Sequence, residues 1–327
     1  MKQASFYPYA RAIAISTVAS LVLVAGCKSG ENTANVPQAK QVGETRPQSK
    51  ANLDQQRQDA EEQTRPEVEK ERQSAQQEAD QALDQDAIAA INLTQNAIKA
   101  IAKNKKNDAL AAIEAATGKI DILLARNAKA ALIPVASEVE VIDAAPLDEK
   151  AVQWLEHSVS EAIKDKNYPA ARLLLYSLES EIRTRTYNLP LATYPLALQD
   201  AARLLDQGKN DDASKVLETA LNTLVAVDKV TPIPLVLARA AIAAAEEQRQ
   251  KDKSAAQTLL ATAKDQLHRC QELGYTADAK EYSELNTSIA QLDKELKGSG
   301  DTTSLFAKLK DELSPLFNRQ SAQERRQ

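Results

Sequence analysis

The sequence predicts a mainly α-helical protein, built as an array of antiparallel helical hairpins in one compact domain with a small two-stranded β element. Three observations support this fold class. Apolar residues recur at helical spacing over most of the chain, short turns containing Gly, Lys and Asn separate the helical runs, and one helix-turn-helix pattern repeats. With 327 residues, 43% of them hydrophobic, the chain is long enough to bury a large core.

The stretch 201–226 shows the hairpin unit. A helical run ends at Leu205, Gly208 stands where a left-handed residue ends a helix, and Asp211 or Asp212 is placed to cap the next helix. The second helix then carries a single apolar stripe, formed by Ala213, Val216, Leu217, Ala220, Leu221 and Leu224.

The same unit recurs elsewhere in the chain. Residues 108–120 align with 212–224, residues 165–175 align with 208–218, and residues 256–263 align with 213–220. A helix pair of this kind cannot bury its apolar face alone, so we expect neighbouring pairs to stack. The tetratricopeptide period of about 34 residues and its aromatic signature are absent, which argues against that repeat class.

Two segments of this helical chain alternate with a strand period instead. Residues 134–143 alternate Val against Glu, and residues 182–188 place three β-branched residues on one parity. We expect them to pair into the small sheet. Further helices are predicted at residues 148–164, 169–180, 195–206, 212–225, 234–250, 254–273, 277–296 and 303–313. The single tryptophan, Trp154, lies beside an apolar stripe and is predicted to be half-buried.

The first residues have the features of an export signal. Lys2 and Arg11 flank an apolar run that is short and interrupted by Ser and Thr, so residues 1–26 are predicted to be a lipoprotein signal peptide. The run ends in Leu-Val-Ala-Gly-Cys, which resembles a bacterial lipobox. That resemblance implies lipidation of Cys27 and therefore the membrane as a partner. Lys28 after the cysteine favours the periplasmic face of the outer membrane.

Composition divides the remainder. Residues 27–83 are charged and poor in large aliphatic side chains, which predicts a lipid-anchored linker that is partly disordered or helical, with an interruption near Pro66. Residues 84–298 are predicted to form the folded helical domain, and residues 299–327 a C-terminal helix and polar tail.

The formal net charge is −5, and the predicted signal peptide removes two further cations. An acidic chain is a poor ligand for nucleic acid, so no nucleic-acid partner is expected. As the pH falls toward the isoelectric point near 5.4, repulsion between copies weakens, which predicts a pH-dependent homo-oligomer.

The sequence offers few candidates for catalysis. With Cys27 acylated, Cys270 is the one remaining thiol; it continues a helical apolar stripe and is predicted to be a small buried side chain. His157 is predicted to lie at the surface, and His268 and Cys270 are two positions apart, which directs them to different sides of a helix. We therefore expect no catalytic residue, no metal, no cofactor and no enzymatic activity.

One non-helical segment is the candidate binding loop. The run NLPLATYP follows Tyr187 and supplies Asn188, Leu189, Pro190 and Tyr194, so an aromatic-lined loop between hairpins is placed to line an apolar groove. The alternative interpretation is a loop that packs across the core.

Two long stretches carry a family resemblance. NDALAAIEAATGKIDILLARNAKAALIPVASEVEVIDAAP and the segment from TRTYNLPLATYP through the GKNDDA turn to PIPLVLA resemble the YfdX family of small bacterial proteins, over roughly residues 84–296. The resemblance implies a mainly helical fold with a few short strands, an envelope location and an association with stress, acid stress in particular. It implies no settled activity. The expected function is a module that binds other envelope proteins or small amphipathic molecules; the alternative is a structural tether or assembly factor.

Overall fold

The computed structural model describes residue 55 and residues 58–275, 279–298 and 302–320. Its elements, numbered in chain order, are α1 Pro66–Gln81, α2 Gln85–Ala102, α3 Lys106–Arg126, β1 Leu132–Asp143, α4 Glu149–Lys164, α5 Tyr168–Tyr176, β2 Ser180–Pro190, α6 Tyr194–Asp206, α7 Asn210–Asn222, β3 Val225–Pro232, α8 Ile233–Gln248, α9 Lys253–Glu272, α10 Ala279–Lys297 and α11 Thr303–Gln320. The mainly α fold is confirmed. The predicted signal peptide, Cys27 and the first part of the predicted linker lie outside the described residues.

The sheet is antiparallel, with strand order β1-β2-β3. The predicted pairing of β1 with β2 is confirmed, and a bulge lies between Pro134 and Ala136. The prediction of two strands is wrong, because β3 pairs along β2. The helix predicted to reach Val225 ends at Asn222 instead. The β-branched run that follows fits a pleated sheet, and β2 supplies the backbone partners that a longer helix would forgo.

The hairpin array is also confirmed. The repeated unit forms α2–α3, α4–α5, α6–α7 and α8–α9, joined by short turns. In the first three, the turn contains one left-handed residue: Asn104 with φ 54°, Lys166 with φ 57° and Gly208 with φ 75°. The next amide donates back to the first helix in each case, as from Lys209 N to Leu204 O at 2.9 Å. This hydrogen bond ends the helix and starts the turn, as in a Schellman motif.

Two details of the predicted hairpin need correction. Lys166 takes the place of Gly208, so Tyr168 corresponds to Asn210, and the predicted alignment of residues 165–175 is one position off. The predicted cap is also wrong, because α7 follows Lys209 and no side chain caps it. Asp211 and Asp212 lie in the first turn, where their charge favours the positive end of the helix dipole. Positions counted from the left-handed turn residue are called template positions below.

Most buried apolar side chains belong to two large cores. The first core joins α2–α3 to α6–α7 and to one end of the sheet; α2 packs against α7, and α3 packs against α6. The second core is formed by α8, α9, α10 and α11. A small third cluster around Ile182 receives Val68 of α1, which packs across β1 and β2. In the described parts of the chain no helix is both long and apolar enough to cross a membrane.

Residues 144–179, called the arm, leave the sheet between β1 and β2. Asp143 of β1 and Ser180 of β2 form the last pair of this ladder, so the arm begins and ends at the same end of the sheet. Its helices α4 and α5 pack mainly against each other. Their seam contains Val152, Leu155, Val159 and Ala171, which belong to none of the three clusters. The arm is therefore a helical hairpin that stands apart from the cores.

Candidate functional site

The predicted binding loop is neither open nor fully a loop. Tyr187, Asn188, Leu189 and Pro190 are the last residues of β2, and Tyr194 begins α6. Leu189 is buried in the first core, with Tyr187 packed against it. The structure thus places these side chains where the sheet meets the hairpins.

Polar groups in this segment are used internally. Asn188 Nδ2 donates to Val225 O at 3.1 Å, which ties the end of β2 to β3. The Tyr194 hydroxyl donates to Thr94 Oγ1 at 2.9 Å, and burial raises the pKa of Tyr194 to about 12. Buried hydroxyls of this kind are usually hydrogen-bonded because an unmade bond is costly. The segment therefore packs across the core, as the alternative interpretation held.

One shallow groove does reach Tyr194. It measures about 360 Å³ and runs between α6 and α7, lined by Thr193, Tyr194, Ala197, Lys215, Val216, Thr219, Ala220 and Thr223. Of the five predicted binding residues, Tyr194 alone lines it. The residues at the end of β2 are directed to the core instead.

The structure does not bring Cys270, His157 and His268 together in one site. Cys270 is fully buried, and burial raises the pKa of its thiol to about 12, so a thiolate nucleophile is disfavoured. His157 is exposed, as predicted, and His268 Nδ1 lies 3.4 Å from Glu272 on an exposed helix face. Among the described residues, no group of three or more His, Cys, Asp or Glu side chains is arranged to hold a metal ion.

Charged pairs on the sheet were not predicted from the sequence. Arg185 makes two hydrogen bonds to Asp228, at 2.7 and 2.8 Å, and these lower the pKa of the Asp228 carboxyl. Arg183 bonds to Glu181 at 2.6 Å. Each arginine already faces a carboxylate on this sheet, so the pairs fix register and offer little positive charge for an anionic ligand.

A polar cluster holds the base of the arm. Arg269 of α9 donates to Ala145 O at 2.9 Å, where the arm begins. Where the arm ends, the Tyr275 hydroxyl accepts from Ser180 N at 2.7 Å and lies 3.0 Å from Glu181 Oε2. Burial raises the pKa of Tyr275, so the phenol stays protonated and can donate to the carboxylate. Both ends of the arm are thus tied to the body.

The arm itself carries most of the large apolar side chains that the described chain exposes. They are Leu147, Trp154, Ile163, Tyr168, Leu173, Leu175 and Tyr176. Scattered exposed apolar residues are ordinary on protein surfaces, but a concentration on one element marks an interaction site. The arm is therefore the candidate functional site of the described chain.

Trp154 corrects a prediction. Its side chain is 64% exposed, not half-buried. The α4 stripe of Val152, Leu155 and Val159 faces α5, whereas a residue one position before Leu155 points about 100° away from it. Trp154, Leu173 and Tyr176 together are called the outer triad below.

The sequence held a signal for this site that the hairpin pattern obscured. Helix α5 reads YPAARLLLY, which is apolar almost all round, and such a helix is either buried or in need of a partner. In the described structure it is not buried. The outer triad occupies template positions that are exposed in the other hairpins, where α7 has Lys215 and Glu218.

Comparison with known proteins gives one family. The family model described as YfdX protein matches residues 90–230, which include the arm and most of the sheet and of the first core. No curated protein matches. A solved structure of Salmonella Typhi YfdX is similar with 13% sequence identity and a TM-score of 0.32, covering 46% of this chain and 93% of that one. The YfdX family is therefore the family that residues 90–230 of this chain match.

Proposed function

We propose that this protein is a non-enzymatic binding module of the cell envelope that captures apolar segments of other envelope proteins under stress. The outer triad supplies the contact surface, and small amphipathic molecules offer the same chemistry in miniature. The proposal rests on one observation, the exposure of Trp154, Leu173 and Tyr176. These side chains lie on a hairpin that is hydrogen-bonded to the body at its base and whose two helices pack mainly against each other.

The residue types suit this role. Trp and Tyr are enriched at binding hot spots because they bury large apolar area at a low cost in conformational entropy. The position of the arm is also fixed at its base, because Arg269 and Tyr275 hydrogen-bond to the residues where the arm begins and ends. Stress, and acid stress in particular, enters the proposal through the resemblance to the YfdX family.

A matched set of substitutions tests the binding surface. Trp154→Asn, Leu173→Lys and Tyr176→Glu install the residues that occupy the same template positions in α2 or α7, where they are exposed. We expect the triple variant to keep its helical circular dichroism and to lose most of its ability to suppress aggregation of reduced insulin, a model unfolding client.

The control is Leu196→Asn, which removes an exposed large apolar residue from α6, at the template position of Trp154. It should behave as the wild type. Trp154 also reports directly, because it is the single tryptophan of the chain: its emission should shift to the blue when the client binds. Equal suppression by the triple variant and the wild type would remove the outer triad from the proposal.

The location is part of the proposal. We infer attachment through lipidated Cys27 to the periplasmic face of the outer membrane, which places a binding module near envelope clients. A Cys27→Ala variant that is still processed should appear in the soluble periplasmic fraction, because a protein without acyl chains has lost its anchor. Retention of that variant in the membrane fraction would contradict lipid anchoring.

A further inference from the structure

The arm has a second apolar surface, at template positions that form core elsewhere. Ile163 corresponds to Leu205, and Leu175 corresponds to Leu217. Leu205 and Leu217 are fully buried in the first core, whereas Ile163 and Leu175 are each 49% exposed. In hairpin α2–α3 the residues at these two positions, Ile101 and Ile113, are buried as well. Ile163 and Leu175 are therefore aliphatic residues at positions that are buried in the other two hairpins, but in the arm they are half exposed.

The packing of the other hairpins shows what covers these positions. In the first core the first helix of each hairpin packs against the second helix of the other, α2 against α7 and α3 against α6. This arrangement is a pseudo-two-fold pairing of two similar hairpins. Helices α8 and α9 are covered by α10 and α11. Within the described chain, no further hairpin packs on the arm in this way.

Two charges on the arm fit the same pairing. Glu156 on α4 occupies the template position that Leu198 occupies on α6. Arg172 on α5 occupies the template position that Leu110 occupies on α3. Helix α3 packs against α6, so these positions lie on the surfaces that hairpins of this type bring together. Neither Glu156 nor Arg172 forms an ion pair in the part of the chain that the structure describes. Opposite charges on α4 and α5 complement each other across a two-fold axis.

We propose that the arm pairs with the arm of a second copy, α4 against the second copy's α5, so that two arms form a four-helix unit like the first core. The surface consists of the two core-type side chains Ile163 and Leu175, together with the exposed Tyr168 at the start of α5, and Glu156 and Arg172 flank it. It uses different side chains from the outer triad and does not depend on client binding. Each two-fold pair contains two Glu156–Arg172 contacts.

The exposed area limits the size of the contact. The three apolar side chains are half to two-thirds exposed, which offers at most roughly 240–400 Å² per copy if each is taken to bury about 150–250 Å², the range for aromatic side chains. With its charged rim, a symmetric contact of this size stays below about 1,200 Å² in total, the low end of specific interfaces. Because interfaces of this size are typical of weak and transient complexes, we expect a reversible dimer that forms at micromolar concentrations.

Charge reversal tests the pairing. The purified protein, with Cys27→Ala in every variant so that no acyl chain contributes, is examined by sedimentation velocity across micromolar concentrations. Glu156→Arg brings like charges together at both contacts, and so does Arg172→Glu. We expect each variant alone to dimerise at least about tenfold more weakly than the wild type. A mixture of the two restores both opposite-charge contacts and should recover a heterodimer.

Controls separate pairing from misfolding and from membrane docking. Lys215→Glu reverses an exposed charge on α7 and should leave dimerisation unchanged, and circular dichroism should show equal helix content in all variants. Recovery in the mixture cannot arise from a folding defect in either variant. A wild-type protein that stays monomeric throughout, or charge variants that dimerise as well as the wild type, would overturn the proposal. So would binding of the arm to phosphatidylglycerol vesicles that is unaccompanied by dimerisation.

Discussion

The arm and the α6–α7 hairpin are built on one template and end in different environments. Both end their first helix with a left-handed residue, and both carry aliphatic side chains at the same positions along two helices. In α6–α7, Leu205 and Leu217 are sealed in the first core with α2–α3, whereas their arm counterparts Ile163 and Leu175 are each 49% exposed. The template therefore determines the hairpin, and a neighbour determines whether the hairpin becomes core.

The largest expected effect lies in the paired hairpin. Leu217→Ala removes a fully buried side chain from the first core, so the free energy of unfolding should fall by about 2 to 5 kcal/mol, through lost burial and the cavity left behind. Urea unfolding at neutral pH measures it. Lys215→Ala, on the exposed face of the same helix, should stay within about 0.5 kcal/mol. Equal losses for the two would mean that the core face of α7 has been assigned wrongly.

Alkaline pH should weaken the first core through Tyr194, where the arm has Val152 at the same template position. Burial raises the pKa of Tyr194 from its ordinary 10.0 to about 12. The unfolded chain ionises first, so the stability gained by keeping the phenol neutral is complete below pH 10 and is lost as the pH rises from 10 to 12.

Tyr194→Phe checks this by urea unfolding across the same pH range. The variant should be less stable near neutrality by about 0.5 to 1.5 kcal/mol, because the hydrogen bond to Thr94 is lost. It should also lose less stability than the wild type on going to high pH. Tyr168→Phe, at an exposed tyrosine of the arm, serves as the control. Parallel pH curves for Tyr194→Phe and the wild type would contradict the assignment.

The equivalent truncation in the arm should be mild. Leu175→Ala removes the arm counterpart of Leu217, but that side chain is already half in water, so the loss should be below about 1 kcal/mol for the dilute monomer. The same variant should weaken dimerisation at higher concentration if the arms pair. A loss as large as that of Leu217→Ala would show that the arm side chain is buried in the monomer.

The smallest expected effect is on the body when the arm is removed. A short Gly/Ser connection replacing residues 147–177 keeps Ala145 and Pro146, whose carbonyls accept from Arg269. The cores contain no arm residue, so unfolding of the shortened protein should remain cooperative, with a midpoint close to that of the wild type. Far-UV circular dichroism should lose only the contribution of α4 and α5. Loss of cooperative unfolding would make the arm part of the folding unit.

Local patterns were sufficient for features that lie within one helix or one turn. Gly208 is predicted as a left-handed helix end because the helical period stops there, and its φ of 75° agrees. Cys270 is predicted as buried because it continues an apolar stripe, and the second core contains it. Both rest on backbone hydrogen bonds and side-chain periodicity within about a dozen residues, which the sequence displays directly.

Long-range contacts decided the rest. Strand β3 and the end of α7 were assigned wrongly because the choice depended on β2 being available as a partner, 37 or more residues earlier in the chain. The predicted binding loop became packing because Tyr194 meets Thr94, 100 residues away. Neither relation is visible in a window of local sequence.

The sequence by itself determined most of the helical segments, the left-handed turn at Gly208 and the arrangement of helices as hairpins. Tertiary structure alone decided which hairpins cover one another, and therefore that Leu217 is sealed while Leu175 and Trp154 are exposed. The physical reason is that a helix is stabilised by bonds between residues four apart, whereas burial requires a second surface, and a stripe of leucines does not specify which surface that is.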